Sequence, residues 1–317
     1  MKQIALVFPG QASQYIGMGK EFYDKYSETK SIFDKANYLL GYDIKKVIFE
    51  GPLDLLTQTK YTQPAVFITS FVCFKVFISK FNIKDYSCFS AGHSLGEYSA
   101  LVASEVLTFE DGLQLVNKRA EFIQNSCEKT KGTMLAILGA DKNIVEEICK
   151  EASTASGAGV CEAVNFNAPG QIVVSGEIPA IEKAKEIAKI KKLKAISLPV
   201  SGAFHSSLMK DAQEKMSEEI KKYIFKTPKF PIITNCDAEI ITDTKQIQEK
   251  LIKQVASPVL WIDSINKIIL NNCLTFIEFG PKNVVSGMIK KISSTVKTFN
   301  VENETSLIQT LEALKNV

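Results

Sequence analysis

The chain is predicted to fold as an α/β protein, with a parallel-sheet, hydrolase-like core and an inserted ferredoxin-like β-α-β-β-α-β subdomain. Three observations carry this reading. Gly92-His93-Ser94-Leu95-Gly96 has the form of a nucleophile elbow, a serine between two glycines at a sharp strand-to-helix turn. Strand-like and helix-like segments alternate on both sides of it, the pattern of a parallel sheet. From about Gly132 to Leu198 that alternation gives way to the order β-α-β-β-α-β.

In chain order, Ile4–Phe8 reads as a strand and Ser13–Tyr26 as a helix, followed by helices Ser31–Leu40 and Ala65–Lys80. Ala65 to Phe81 is the most apolar stretch. Gln63-Pro64 opens it, Lys75 interrupts it, and it falls short of the ~20 residues that span a bilayer, so a buried helix and no membrane contact are expected. Tyr86–Ala91 is strand-like. Glu97–Ala103 then places small and apolar residues inward, so Ser94 sits at a helix N-terminus, where free N–H groups favour developing negative charge. Phe109–Cys127 is a helix with Leu113, Val116, Ala120 and Ile123 on one face. The insertion comprises strand Thr133–Leu138, helix Lys142–Ala152, strands Val160–Asn165 and Gln171–Ser175, helix Ile178–Lys189 and strand Lys194–Leu198. Phe230–Thr234, a helix from Ile247, and Thr275–Phe279 resume the parallel pattern. The catalytic core is therefore assigned to residues 1–130 and 199–317, and the subdomain to 131–198.

Composition narrows the classes. The chain is long enough, at 317 residues, for a large core with an insertion, and its 45% hydrophobic and 23% charged content suits a soluble globular protein. A net charge of +3 is too small to suggest nucleic acid. Seven cysteines, an odd number without Cys-x-x-Cys spacing, argue for a reducing, cytoplasmic setting and against disulfides or zinc. The apolar start, Ile4 to Phe8, is too short for a signal sequence and meets Pro9-Gly10 at once. A monomer is expected. The basic run Lys189, Lys191, Lys192 and Lys194 reads by default as a solvated helix end.

Residue types then point to acyl chemistry. Only one of the 38 basic lysine and arginine residues is an arginine, Arg119. Lysine serves for general surface charge, so this planar fork, able to grip a carboxylate with two parallel bonds, suggests a substrate whose acyl group carries a free carboxylate. Of the two histidines, His93 adjoins Ser94, and adjacent side chains on a tight elbow point apart. His205, in a loop after a strand, is the better general base. An acid between serine and histidine in sequence lacks a convincing setting: Asp141 and Glu162 are the candidates, and neither persuades. A Ser94–His205 dyad with a neutral acceptor behind the imidazole is the preferred reading.

Six stretches taken together resemble the malonyl-CoA:acyl-carrier-protein transacylases of fatty acid synthesis. They are Phe8-Pro9-Gly10-Gln11, Gly92 to Ala100, Arg119, Asn165 to Gln171, Pro199 to His205, and the C-terminal set Gln254, Pro258-Val259, Trp261 and Glu278-Phe279-Gly280-Pro281. The resemblance covers nearly the whole chain. It implies a malonyl ester on Ser94, His205 as proton shuttle, and an oxyanion hole from the N–H groups of Leu95 and Gln11. It also implies Gln254 as the position whose oxygen holds the histidine, Asn165 and Asn167 along the acyl or pantetheine channel, and Lys194 near the coenzyme A phosphates. Coenzyme A thioester and phosphopantetheine would be substrates, with no cofactor or metal, and acyl carrier protein the partner. Ala12 departs from the family's usual glycine, and Gly202-Ala203-Phe204 looks more like malonyl-selective polyketide synthase domains than some bacterial enzymes. Two rivals share parts of this pattern: a serine hydrolase such as a thioesterase or lipase, and a carrier-protein docking module with a degenerate site. Arg119 and the missing acid argue against the first, and the filled catalytic positions against the second.

Overall fold

The protein's structure is a computed structural model that describes residues 2–155, 157, 159–200 and 202–315. Its strands, in chain order, are β1 (Lys2–Phe8), β2 (Tyr86–Gly92), β3 (Gly132–Leu138), β4 (Cys161–Ala168), β5 (Gln171–Glu177), β6 (Lys194–Ser197), β7 (Ile232–Ile233), β8 (Ile240–Ile241), β9 (Thr275–Phe279) and β10 (Lys297–Val301). The larger sheet runs β10-β9-β1-β2-β7-β8 and is parallel except for β8, which folds back on β7. β1 and β9 are almost continuous apolar runs because helices cover both sheet faces. Register pairs Phe8 with Gly92, so the loops leaving β1 and β2 lie side by side at the carboxyl edge. The chain leaving β7 reaches Asn235 at the same edge. Open parallel sheets place ligands at such an edge.

The second sheet is antiparallel, in the order β4-β5-β3-β6, with helix Lys142–Thr154 between β3 and β4 and helix Ile178–Ile190 between β5 and β6. One face buries Leu135, Ile137, Ile172 and Val174 beneath those helices. Alternation turns Met134, Ala136, Val164 and Val173 to the other face, where they pack against Leu198, Val200 and Phe204. Main-chain bonds stitch this sheet to the core: Phe166 N–H donates to Val259 O at 3.0 Å, and Val259 N–H to Val164 O at 2.7 Å.

Several elements differ from expectation. Ser13–Tyr26 is not one helix: Gly17 and Gly19 adopt φ of 92° and 74°, which an α-helix cannot contain, so helix begins only at Lys20–Lys25. A second helix, Ser27–Leu40, starts after extended Tyr26 and one turn earlier than expected. The apolar helix runs Thr59–Lys80, with Pro64 inside rather than at its start. It is the one helix among the described residues long and apolar enough to cross a membrane, yet it is mostly buried, with Phe74 and Phe77 against Phe279. Phe230–Thr234 contracts to β7. The sequence reading passed over β8, β10, short helices Ile44–Glu50 and Leu53–Leu56, and helices Lys210–Ile220, Trp261–Leu270, Val284–Ile292 and Glu304–Lys315. Ser201, in the stretch before His205, lies outside the described residues.

The glycines that frame the elbow are required by close approach. A Cβ on Gly92 would strike the main chain of Gly96, and one on Gly96 would strike the main chain of Phe8. Gly92→Ala is therefore predicted to destabilise the fold by about 1–3 kcal/mol or more, because main chain cannot yield as a side chain can. Gly287, exposed in helix Val284–Ile292 with nothing near its missing Cβ, is the control: its alanine variant should gain roughly 0.5–1 kcal/mol. Denaturant titration of both variants checks the pair, and equal stability in both would contradict it.

Candidate active site

Ser94 leaves β2 at φ 53° and leads directly into helix Gly96–Ala103. A left-handed serine costs roughly 1–3 kcal/mol unless its surroundings fix it. Asn235 does so from the end of β7. Its Oδ1 accepts the Ser94 N–H at 2.6 Å, and its Nδ2 donates to Gly92 O at 2.7 Å.

His205 also stands at positive φ, 63°, and its Nε2 lies 2.7 Å from Ser94 Oγ. Nδ1 lies 3.0 Å from Gln254 O and 3.2 Å from Ser257 O. Carbonyls only accept, so Nδ1 carries the proton and Nε2 is free to accept from the serine. The neutral acceptor is thus main chain. Glu162 binds Ser207 instead, with its oxygens 2.7 Å from that residue's N and Oγ, and Asp141 caps helix Lys142–Thr154. Burial, and secondarily the Arg119 charge, pulls the His205 pKa down to about 3, so the imidazole is neutral at ordinary pH.

Arg119 is 2% exposed on helix Phe109–Lys129. Nη1 donates to Gln63 Oε1 at 2.8 Å, while Nη2 donates to Ser94 Oγ at 3.0 Å and to Gln254 Oε1 at 3.1 Å. The guanidinium carbon sits 5.7 Å from the Tyr98 ring centre, and Nε is buried without a partner. No described carboxylate forms an ion pair with it: its direct hydrogen-bond partners are all neutral, and the buried Glu97 acts on it only through space.

Gln254 connects the three. Its main-chain oxygen takes the histidine proton, its Oε1 takes Arg119, and its Nε2 donates at 2.8 Å both to Ser94 O and to Glu97 Oε2. Glu97 is buried, and burial raises its pKa to about 7.

Ser94, His205, Arg119 and Gln63 line a cleft of about 110 Å³ together with Gln11, Leu95, Asn165 and Phe204. That volume suits a short acyl group rather than a drug-sized ligand, which needs roughly 300 Å³ or more. Phe204, Leu198 and Val200 from the segment after β6, with Met134 of the second sheet, supply the apolar wall. Asn165 lines the cleft and its buried Oδ1 has no partner, and among the described residues nothing engages the N–H of Gln11 or Leu95. Two expected residues lie elsewhere. Asn167 Oδ1 lies 2.7 Å from His93 Nε2, which fixes it behind the elbow, where His93 meets the edge of Trp261. Lys194 is exposed at the start of edge strand β6 and outside the cleft lining, although its pairing with Leu138 sets it on the same sheet face as Met134 and Ala136. Ala12 adopts φ 78°, the conformation that favours glycine. No group of three or more His, Cys, Asp or Glu is placed to hold a metal among the described residues. Gln63, Glu97 and Asn235 escaped the sequence reading. Asn235 alone had a local signal, a polar residue just past a strand of the parallel sheet.

The His205 environment sets a pH dependence. Between about pH 6.5 and 3 the unfolded imidazole binds a proton that the folded one refuses, so stability from this group falls as pH falls through that window. Its basic form persists there. Labelling of Ser94 by a serine-directed phosphonate is predicted to keep its rate between pH 8 and about 5. A half-maximal rate near pH 6.5 would mean an exposed, ordinary histidine.

A family profile described as acyl transferase domain matches residues 5–310. The chain is 42% identical to the malonyl CoA-acyl carrier protein transacylase of Bacillus subtilis over 99% of this chain and 98% of that protein. The crystal structure of the malonyl CoA-acyl carrier protein transacylase from Clostridium perfringens aligns with a TM-score of 0.92 and 39% identity, covering 99% of this chain and 98% of that one. A malonyl-transacylase solved in complex with a type II polyketide synthase acyl-carrier protein aligns with a TM-score of 0.93 and 34% identity, covering 98% and 100% of the two chains. With its strand order, its elbow and its relatives in agreement, the chain belongs to the acyl transferase family, alongside the malonyl CoA-acyl carrier protein transacylases.

Proposed function

We propose that this enzyme moves the malonyl group from malonyl-CoA to the phosphopantetheine thiol of an acyl carrier protein, in fatty acid synthesis, by a ping-pong mechanism. Ser94 Oγ bonds to the thioester carbonyl carbon as its proton passes to His205 Nε2. The tetrahedral oxygen is held by the N–H groups of Leu95 and Gln11. Collapse breaks the C–S bond, and His205 returns the proton to the departing thiolate. The carrier thiol then repeats the sequence in reverse on malonyl-Ser94. Gln254 and Ser257 keep His205 in the required tautomer. Asn165 offers its free oxygen to the bound acyl or pantetheine group. Asn167 acts through His93, and Lys194 takes no part at the acyl site. Both thioesters are substrates, no cofactor enters, and the enzyme works as a cytoplasmic monomer. Residues 131–198 act as a ferredoxin-like subdomain that walls the cleft, with 1–130 and 199–317 as the catalytic core.

The observation that carries the substrate assignment is Arg119: a buried cation beside the nucleophile with no acidic partner of its own. A carboxylate two bonds beyond the ester carbonyl carbon supplies the missing charge. A hydrolase reading leaves this cation unexplained.

Arg119→Ala should remove about ten- to a hundred-fold of the malonyl-over-acetyl preference in kcat/KM, the worth of a charge-assisted pair at roughly 1.5–3 kcal/mol. Arg119→Lys should recover only part of it. An unchanged ratio in Arg119→Ala would make this arginine structural and sink the substrate assignment. Phe204 fills the space a 2-methyl branch needs, so Phe204→Ser should raise methylmalonyl transfer relative to malonyl; no relative gain would remove Phe204 as a filter.

A further inference from the structure

Glu97 lies one turn beyond Ser94, on the buried side of the elbow helix. It touches neither the cleft nor Arg119 directly; its contacts are with what holds them. Its Oε2 accepts Gln254 Nε2 at 2.8 Å and the Asn235 N–H at 3.3 Å, and its own N–H donates to Ser94 O at 3.0 Å. A buried carboxyl costs free energy unless it is hydrogen-bonded, and although the first turn of a helix favours an acid, this one directs its Oε2 to Gln254 and Asn235.

An amide side chain has two ends, and its orientation follows its partners. On one side of Gln254 stand two acceptors, Ser94 O and Glu97 Oε2; on the other stands the Arg119 donor. Reversing the amide would set its oxygen against both acceptors and its NH₂ against the guanidinium. Ser94 O is available in any residue's main chain, so Glu97 is the side chain that decides. We propose that Glu97 is a positioning residue for acyl-group selection. By fixing the Gln254 amide it presents Oε1 to Arg119 Nη2 and so holds the guanidinium fork where an acyl carboxylate meets it.

The inference rests on Arg119 as the reader of the acyl carboxylate, and it goes further by naming what aims that arginine. It predicts coupling. Glu97→Ala should lower the malonyl-over-acetyl preference about tenfold, as expected for loss of one well-placed charge-assisted contact. In an Arg119→Ala background the same change should lower it no further, because there is no fork left to aim. Glu97→Asp keeps the charge and draws the carboxylate back by one methylene, so it should give a smaller loss with the same dependence on Arg119; it serves where the alanine variant fails to fold.

The experiment is a double-mutant cycle on kcat/KM for malonyl-CoA and acetyl-CoA, with phosphonate labelling of Ser94 measured in parallel. Expected is a loss of malonyl preference that vanishes without Arg119, while Ser94 labels within a few-fold of the wild-type rate. A folded Glu97 variant with unchanged preference overturns the proposal, and so does an equal fall with and without Arg119, which a merely structural role produces. If Arg119→Ala alone leaves the preference intact, the substrate reading fails first, and that result is visible in the single variant.

Discussion

A guanidinium taken out of water beside a nucleophile is the constraint on which this site depends. A buried charge without an ionic partner costs several kcal/mol, and removing one member of such a set is more damaging than never having built it. Arg119 is held by Gln63, Gln254 and Ser94, all neutral, and its Nε has no partner. The protein carries that burial in the free state. In the function proposed here, a substrate carboxylate meets a cation already desolvated and already oriented, which is how preorganisation converts folding energy into selectivity.

The rest of the architecture serves to make this arrangement stiff. Three neighbouring strand ends bring Gln11, Ser94 and Asn235 to one edge, with the elbow glycines allowing the main chain to pack without a gap. Gln254 reaches the same place from the end of helix Thr244–Gln254 and binds the histidine through its main chain and the arginine through its side chain. A single residue thus sets both the tautomer of the base and the direction of the cation. The antiparallel sheet contributes no charged group to the reaction centre. It supplies an apolar wall from one face, relieved only by the Asn165 amide, and buries the other under its own helices.

What the sequence revealed was what is local. The elbow is five consecutive residues whose glycines have a steric reason, and the Arg119 helix has a clear apolar period. With only two histidines in the chain, elimination pointed to His205, whose Nε2 lies 2.7 Å from Ser94 Oγ. The β-α-β-β-α-β order was legible for the same reason, since each element carries its own pattern. The supporting shell was not. Gln254 and Arg119 are 135 residues apart, and Gln254 and Glu97 are 157 apart, so their contact exists only once the sheet has formed. Glutamine is common on solvated helix faces, and nothing near position 254 marks it as buried. The early helix failed for a different reason: the apolar spacing of Ser13–Tyr26 outweighed Gly17 and Gly19, whose left-handed conformations break it. Asn167 and Lys194 were carried over by resemblance; Asn167 is engaged by His93, and Lys194 stays exposed at the start of an edge strand outside the cleft lining.

The proposed chemistry turns on a covalent malonyl group at one serine, held because a buried arginine reads its carboxylate. Intact-protein mass measurement after mixing with equal malonyl-CoA and acetyl-CoA, followed by peptide mapping, addresses this directly. A single malonyl adduct is expected on Ser94, lost on adding the thiol of holo acyl carrier protein and absent in Ser94→Ala. Acetyl as the main adduct, attachment at another residue, or release of free malonate without transfer to the carrier would contradict it.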